Sequence, residues 1–343
     1  MSSRVLASFA FATAALVGGF AASAAGHAAV TAPPPASEVR AWLLRIHEAA
    51  SHRNFQGTFV VSGGGNVASA HITHFFEGPN QYERIESLDG RQRKVYRIND
   101  VVHTVWPASH VAMIEQRGLL NSFPALLQAG DDGLGEWYEV RPEGTDRVAG
   151  HEADILDVRA RDAYRYGYRL WADRASGLLL RVDVIGVQGH VLETSAFSDV
   201  SIGVRPQPAS IVQAMRRLDG YRIVRPVLTP TRLDKEGWSL RRLAPGFKEV
   251  SCVSRQIESP REVRADAQEQ QPVIQTIFSD GLTYVSVFIE PYRPDRHGHP
   301  MLAALGATLT LSERHGDWWV TIVGDTPQAT LKLFAAALER KKP

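Results

Sequence analysis

Apolar residues first recur along this chain with a helical period. Val39, Trp42, Leu43, Ile46 and Ala50 stand at i, i+3, i+4, i+7 and i+11. That spacing lines one face of a helix, and Ser37 precedes it as an N-cap. Beyond the helix the period drops to two. GTFVVS (57–62), VASAHITHFF (67–76), YERIESL (82–88), KVYRI (94–98), VVHTVW (101–106) and VAMIE (111–115) are short β-branched or aromatic segments. GGGN, GPN, DG and ND part them as turn signals. Strands joined so briefly are antiparallel neighbours, so the pattern predicts a meander.

NSFPALLQAG (121–130) is looser and compatible with a helix. Strands resume at EWYEV (136–140), HEADILDV (151–158), YGYRLWAD (166–173), LLLRVDVI (178–185) and LETSAFSDV (192–200). Prolines at 206, 208, 226 and 230 then flank an arginine-rich QAMRRLDG. Proline at that density cannot join a central sheet, which predicts a linker with room for one helical turn. Past it, WSLRRL, KEVSCVS, VIQTIFS, LTYVSVFIE, ATLTLS and WWVTIVG predict a second sheet, interrupted by a polar loop at 258–271. A closing helix is marked by Thr326 as N-cap, Pro327 at N1 and a Leu331–Phe334–Leu338 stripe, with Arg340, Lys341 and Lys342 set to complement its dipole. The expected class is α+β: a large antiparallel domain over 35–202, a linker over 203–232 and a smaller antiparallel sheet with helices over 233–343. The chain has no internal repeat.

Composition adds a compartment. Arg4, the uncharged apolar run Val5 to Ala22 and the small-x-small site Ala22-Ser23-Ala24 predict a cleaved Sec-type signal peptide over 1–24, and so an exported, periplasmic protein. TAPPPAS follows rather than a stop-transfer cluster, and no cysteine follows that could carry a lipid. Of the 38 basic residues one, Arg4, lies in this segment, so the rest balance the 37 acidic ones. A neutral chain lacks the positive field that recruits nucleic acid. Cys252 is the single cysteine, so no internal disulfide forms, and its place in the alternating EVSCVS predicts a buried, inert thiol.

Candidate chemistry is sparse. HEAASH (47–52) looks at first like a zinc-protease helix, but His47 and His52 are five apart, about 140° around a helix, and cannot share one ion. His71 and His74 fall on opposite faces of a strand. His297 and His299 share a face or an exposed loop, without a carboxylate cluster to complete a site. No G-x-S-x-G, P-loop or G-x-G-x-x-G occurs, and nothing joins a nucleophile, a base and an orienting group. The expectation is a non-enzyme with no metal and no cofactor. Apolar surface is plentiful instead. Tyr164, Tyr166, Tyr168 and Leu170 share one face, as do Leu178, Leu180, Val182 and Val184 on the strand returning after Gly177. A sheet with one apolar face must cover it with helices or enclose a ligand, and both readings stand here.

The order of the pieces carries a resemblance. WLLRIHEAASHRNFQGTFVV, HITHFFEG, RIESLDGRQRKVYR and YRLWADRASGLLLR are followed by LAPGFKE, FSDGLTYVSVFIE and WWVTIVGDTP. NFQGT (54–58), ESLDG (86–90), SDGL (279–282) and VGDTP (323–327) are the most specific. The chain resembles the MucB/RseB family, periplasmic regulators of the sigma-E (AlgU-type) envelope stress response. The resemblance implies that the large domain is a LolA/LolB-like half-open antiparallel barrel over helices, with an apolar cavity. It also implies a partner, the periplasmic part of a membrane-spanning anti-sigma factor, which such proteins shield from the first regulatory protease. A lipid-like signal, lipopolysaccharide or mislocalised lipoprotein, releases that complex. On that footing Phe59, Phe75, Trp106, Tyr168 and Leu170 are candidate acyl-chain contacts, being aromatic or apolar at alternating strand positions. Arg216, Arg217, Trp318 and Trp319 are candidate partner contacts. The rival readings are a LolA-type lipoprotein carrier, which needs only the first half of the chain, and a lipid-acting enzyme. Self-association is left open.

Overall fold

The helical period at the start of the described chain becomes α1 (Ala36–His52). Strands follow in hairpin succession: β1 (Phe55–Gly63), β2 (Asn66–Glu77), β3 (Asn80–Ser87), β4 (Lys94–Ile98), β5 (Val101–Trp106) and β6 (Val111–Gln116). One helical turn, α2 (Leu134–Trp137), leads into β7 (Tyr138–Val148), β8 (His151–Ala160), β9 (Gly167–Asp173), β10 (Leu179–Ile185) and β11 (Val191–Ile202). Then come α3 (Pro208–Arg216), β12 (Arg222–Val224), β13 (Val227–Pro230), β14 (Trp238–Leu240), β15 (Lys248–Gln256) and β16 (Val273–Ser279). The chain ends with β17 (Tyr284–Pro291), β18 (Met301–Leu305), β19 (Thr308–His315), β20 (Trp318–Gly324), α4 (Gln328–Ala337) and β21 (Leu338–Arg340). This computed structural model describes residues 36–116, 134–256 and 272–341. The signal segment 1–24, the helix expected over 121–130 and the loop 258–271 lie outside them.

The large sheet has twelve strands in the order β12-β6-β5-β4-β3-β2-β1-β11-β10-β9-β8-β7. It is antiparallel except at β12, which runs parallel to β6, and its ends β12 and β7 do not meet, so it stays open. The central β1–β11 pair joins the two meanders, with a register shift between Thr58 and Phe59. Gly57 sits beside that bulge, where a Cβ would land on the Asp199 carbonyl oxygen. Only glycine lets the two backbones come so close. Asn54 Oδ1 accepts the Phe76 N–H at 2.7 Å and pins the turn from α1 into β1. The NFQGT piece is therefore a structural joint. α1 buries Leu43, Ile46 and Ala49 against the sheet, while α3 buries Ile211 and Met215 beside Phe75, Tyr96 and Val105.

The second sheet has seven antiparallel strands, β13-β15-β16-β17-β20-β19-β18, and β14 pairs with β21. α4 drives Leu331 and Phe334 into its core of Phe278, Val285, Val287, Ile289, Val320 and Ile322. Residues 203–232 fold onto both sheets: β12 takes one edge of the large sheet and β13 one edge of the second. Edges are where proline-rich strands are tolerated.

Three local expectations are corrected. Thr326 does not cap α4; Pro327 holds the N-cap position, and Thr326 Oγ1 is buried without a hydrogen-bond partner. The basic tail does not serve the helix dipole, because Leu338–Arg340 turns into a strand that pairs with β14. There Arg340 lies 5.3 Å from the Trp238 ring and 4.8 Å from that of Trp318. A cation over two indoles, plus ladder hydrogen bonds, outweighs a screened dipole contact of about 0.3–1 kcal/mol. His297 is not an exposed loop histidine: it stacks on Trp319 at 5.1 Å and accepts the Arg293 N–H at 2.9 Å.

Candidate binding site

The face of the large sheet that carries α1 is covered twice. Near β1 and β11, Phe59 meets Phe197 edge-on at 5.1 Å, beside Phe55, Ile72 and Ala49 of α1. Near β8–β10, Tyr168 and Leu170 lie with Leu156, Val158, Val182 and Val184 under Ile46 of α1 and under Leu282 and Ala307 of the second sheet. Burial pushes the Tyr168 hydroxyl well above its ordinary range. The apolar face left open by the sequence is thus met by a helix and by the second sheet together.

The five candidate acyl contacts do not share one cluster. Phe59 belongs to one, Tyr168 and Leu170 to a second, and Phe75 to a third beneath α3. Phe75 points away from α1 because its neighbour His74 takes the other side of β2. Trp106 is half-buried at the end of β5, before a 3-10 turn at Pro107–Ser109.

Where the sheets meet, Arg165 and Asp280 form a buried ion pair, Nη1 to Oδ2 at 3.1 Å. Asp280 Oδ2 also accepts the Tyr138 hydroxyl at 2.9 Å, and Oδ1 accepts the Leu282 and Thr283 N–H groups at 2.9 Å each. Arg165 donates to the Asp162 carboxylate at 3.1 Å and to the Pro245 carbonyl. Its guanidinium lies among the rings of Trp137, Tyr138 and Phe247. The seam continues where Thr330 Oγ1 donates to the Tyr164 carbonyl, where Arg255 reaches Glu115 at 2.8 Å and where Glu193 accepts the Ala307 N–H at 3.2 Å.

A second polar group crosses the middle of the large sheet. His74, Glu83 and Arg97 are register partners on β2, β3 and β4. His74 Nδ1 lies 2.8 Å from the Arg53 carbonyl, and burial holds its pKa below the ordinary value. Burial pushes the Glu83 carboxyl up to about 7, against the pull of Arg97. Arg97 Nε donates to the Asn99 carbonyl while Nη2 is buried without a hydrogen-bond partner.

The candidate partner residues occupy two places. Arg216 and Arg217 are exposed at the end of α3, and Arg217 helps line a cleft of about 420 Å³ with Lys94, Tyr96, Val105, Leu218 and Tyr221. Trp318 and Trp319 take opposite faces of β20. Trp318 meets Trp238 edge-on at 5.6 Å on the core side, and Trp319 is buried against His297 on the other. Sequence reasoning missed Arg165, Asp280 and Glu83. Asp-Gly in SDGL is a turn signal that could have drawn attention to Asp280, but nothing separates Arg165 from the other arginines.

Two family models match the chain, the MucB/RseB N-terminal domain over residues 38–215 and the MucB/RseB C-terminal domain over 232–339. The sigma factor AlgU regulatory protein MucB of Pseudomonas aeruginosa is 30% identical over 311 residues, 88% of this chain and 91% of that protein. The sigma-E factor regulatory protein RseB of Escherichia coli K12 is 25% identical over 297 residues, 86% of this chain and 88% of that protein. Among solved structures, MucB in complex with MucA(peri) superposes with a TM-score of 0.64 at 27% identity, covering 90% of this chain and all of that one. The MucA/MucB complex of Pseudomonas aeruginosa gives 0.65 at 27% identity over 89% of this chain. With both of its domains matched in order, this chain belongs to the MucB/RseB family of sigma factor regulatory proteins.

Proposed function

We propose that this chain is a periplasmic negative regulator of sigma-E-type envelope stress signalling. It binds the periplasmic domain of a transmembrane anti-sigma factor, protects it from regulated proteolysis and releases it when a lipid-like signal, lipopolysaccharide or mislocalised lipoprotein, binds instead. The observation that carries the reading is the similarity, over both domains, to MucB solved with MucA(peri). The covered apolar face supports the release step. Acyl chains reach Tyr168 and Leu170 only if Leu282 and Ala307 withdraw, so a lipid and the present arrangement exclude each other. Two ligands that prefer different arrangements weaken each other by the same factor. Phe59, Trp106, Tyr168 and Leu170 serve the lipid in this scheme, with Phe75 supporting them beneath α3. The exposed Arg216 and Arg217 serve the partner's carboxylates, with Trp318 and Trp319 fixing the second sheet. A lipoprotein carrier needs the large sheet alone and has no use for the seam.

The test is a binding titration of the mature chain against the anti-sigma factor's periplasmic domain, repeated with lipopolysaccharide present. Competition is expected, together with loss of the lipid effect when Trp106 and Tyr168 are replaced by aspartate. Independent binding of partner and lipid would overturn the release step. Lipoproteins recovered from envelope extract in place of an anti-sigma factor would favour the carrier.

A further inference from the structure

The face of the large sheet opposite α1 carries an open cleft of about 420 Å³ between α3 and the strands β4 and β5. Lys94 and Tyr96 of β4 line one side, Ser210, Gln213 and Arg217 the α3 side, and Tyr221 the turn that follows. Tyr96 is only 7% exposed, yet its hydroxyl forms no hydrogen bond among the described residues. A buried hydroxyl is ordinarily paired, so an unpaired one opening on a cleft is a place for a ligand's polar atom. Lys94, Glu86, Arg84 and Tyr221 are near enough to act on it electrostatically. Glu86 is the one carboxylate in that group, and it is shared: Lys94 Nζ lies 3.2 Å from it and Arg84 Nε 4.0 Å. Arg84 Nε has no hydrogen-bond partner. Arg217, on the far wall, is exposed and forms no ion pair among the described residues. Asp219, in the turn after α3, is exposed and does not line the cleft. Three cations thus surround the space against one carboxylate.

We propose that this cleft binds a small soluble sugar acid, its carboxylate held between Arg217 and Lys94 and its hydroxyls by Tyr96, Tyr221, Gln213 and Ser210. A carboxylate suits the planar fork of arginine, which can take both oxygens at once. Sugar hydroxyls give and accept hydrogen bonds, and a lining of phenol, hydroxyl and amide groups does the same. The two tyrosine rings offer apolar surface to the C–H face of a sugar ring. The volume suits a ligand of one or two rings. Tyr168 and Leu170 lie on the other face of the sheet, under α1, so this ligand and a lipid there do not meet. The sugar acid is therefore additional to the lipid and the anti-sigma factor proposed above, and it shares Arg217 alone with the second.

The test is an NMR titration of the mature chain with glucuronate, with glucose and inorganic phosphate as comparison ligands. Glucuronate is expected to shift the amides of Lys94, Tyr96 and Arg217 with a dissociation constant of about 1 mM, the range for a ligand of this size. Glucose lacks the charge and phosphate lacks the ring, so each binds more weakly by about tenfold. Tyr96→Phe keeps the ring in the core and removes the hydroxyl, which weakens glucuronate by about three- to tenfold. Arg217→Glu reverses an exposed charge and weakens it by about tenfold or more. Both variants are expected to melt as wild type does, which separates loss of binding from loss of fold. Absence of shifts at these amides at about 20 mM glucuronate, well above that constant, overturns the proposal. So does glucose bound as tightly as glucuronate. Phosphate bound as tightly, with Y96F without effect, overturns it as well, because surface cations alone would then account for the signal.

Discussion

Asp280, where the two sheets meet, and Glu83, in the middle of the large sheet, are two carboxyls whose surroundings have opposite consequences. Around Asp280 a guanidinium, a tyrosine hydroxyl and two backbone N–H groups converge within 3.1 Å. Around Glu83 the neighbouring Arg97 gives its Nε to the Asn99 carbonyl, and burial lifts the carboxyl to about 7. Charge inside a protein is tolerated where donors are already oriented toward it, and is costly where only desolvation meets it. Asp280 fastens the second sheet to the large one, whereas Glu83 opposes the folded state whenever it is ionised.

Breaking the first site gives the largest expected effect. Asp280→Ala leaves the buried Arg165 guanidinium with Asp162 as its remaining carboxylate and orphans the Tyr138 hydroxyl and the Leu282 and Thr283 N–H groups, so unfolding stability falls by about 3–5 kcal/mol. Urea denaturation reads this directly. Pairing Asp280→Asn with Arg165→Met removes both charges and keeps an acceptor for the N–H groups, and recovers more than half of the loss. A double variant as unstable as D280A would mean that the seam rests on the charges themselves.

The second carboxyl predicts the reverse sign. Glu83 is raised from 4.5 to about 7 in the folded chain. Between those values the folded state holds a proton that the unfolded state has released, so stability falls as pH rises across the window. Glu83→Gln removes that slope and raises stability above the window by about 1–3 kcal/mol, each pKa unit corresponding to about 1.4 kcal/mol. Melting curves at several pH values for E83Q and wild type test it. A wild-type profile that stays flat through the window would place the Glu83 carboxylate among donors, as at Asp280.

The periodic elements were legible before the structure. KVYRI, VVHTVW, VIQTIFS and WWVTIVG coincide with β4, β5, β16 and β20, because alternation and β-branching agreed there with the pairing. MLAAL was invisible as a strand. Met, Leu and Ala favour helix, and β18 is a strand because β19 offers it a ladder. Leu338–Arg340 carries the pattern of a helix end for the same reason, and the pairing with β14 overrides it. Apolar character was legible in the site, but not what covers it. Period two put Tyr168 and Leu170 on one face, while Leu282 and Ala307 arrive from more than a hundred residues away. The Arg165–Asp280 pair was illegible for that reason too, since a long-range partner leaves no local pattern.

The smallest predicted effect decides which of the two carboxyls describes the rest of the seam. Glu193 combines features of both: it accepts the Ala307 N–H at 3.2 Å, as Asp280 accepts its donors, yet burial raises its pKa, as at Glu83. The raised pKa means that burial outweighs both donors, the Ala307 N–H and, at 3.5 Å, the Ser195 hydroxyl, with Asp325 adding repulsion. Glu193→Gln keeps an acceptor for Ala307 and drops the charge. Because the group is half-buried and solvent screens it, the gain at neutral pH is only about 0.5 kcal/mol. Glu193→Ala removes the acceptor and exposes the Ala307 amide to exchange. Hydrogen exchange at Ala307 separates the two roles: protection retained in E193Q and lost in E193A assigns the contact to the hydrogen bond, with the charge a liability as at Glu83. An E193Q chain less stable than wild type at neutral pH would make Glu193 a second Asp280, a charged fastening between the sheets.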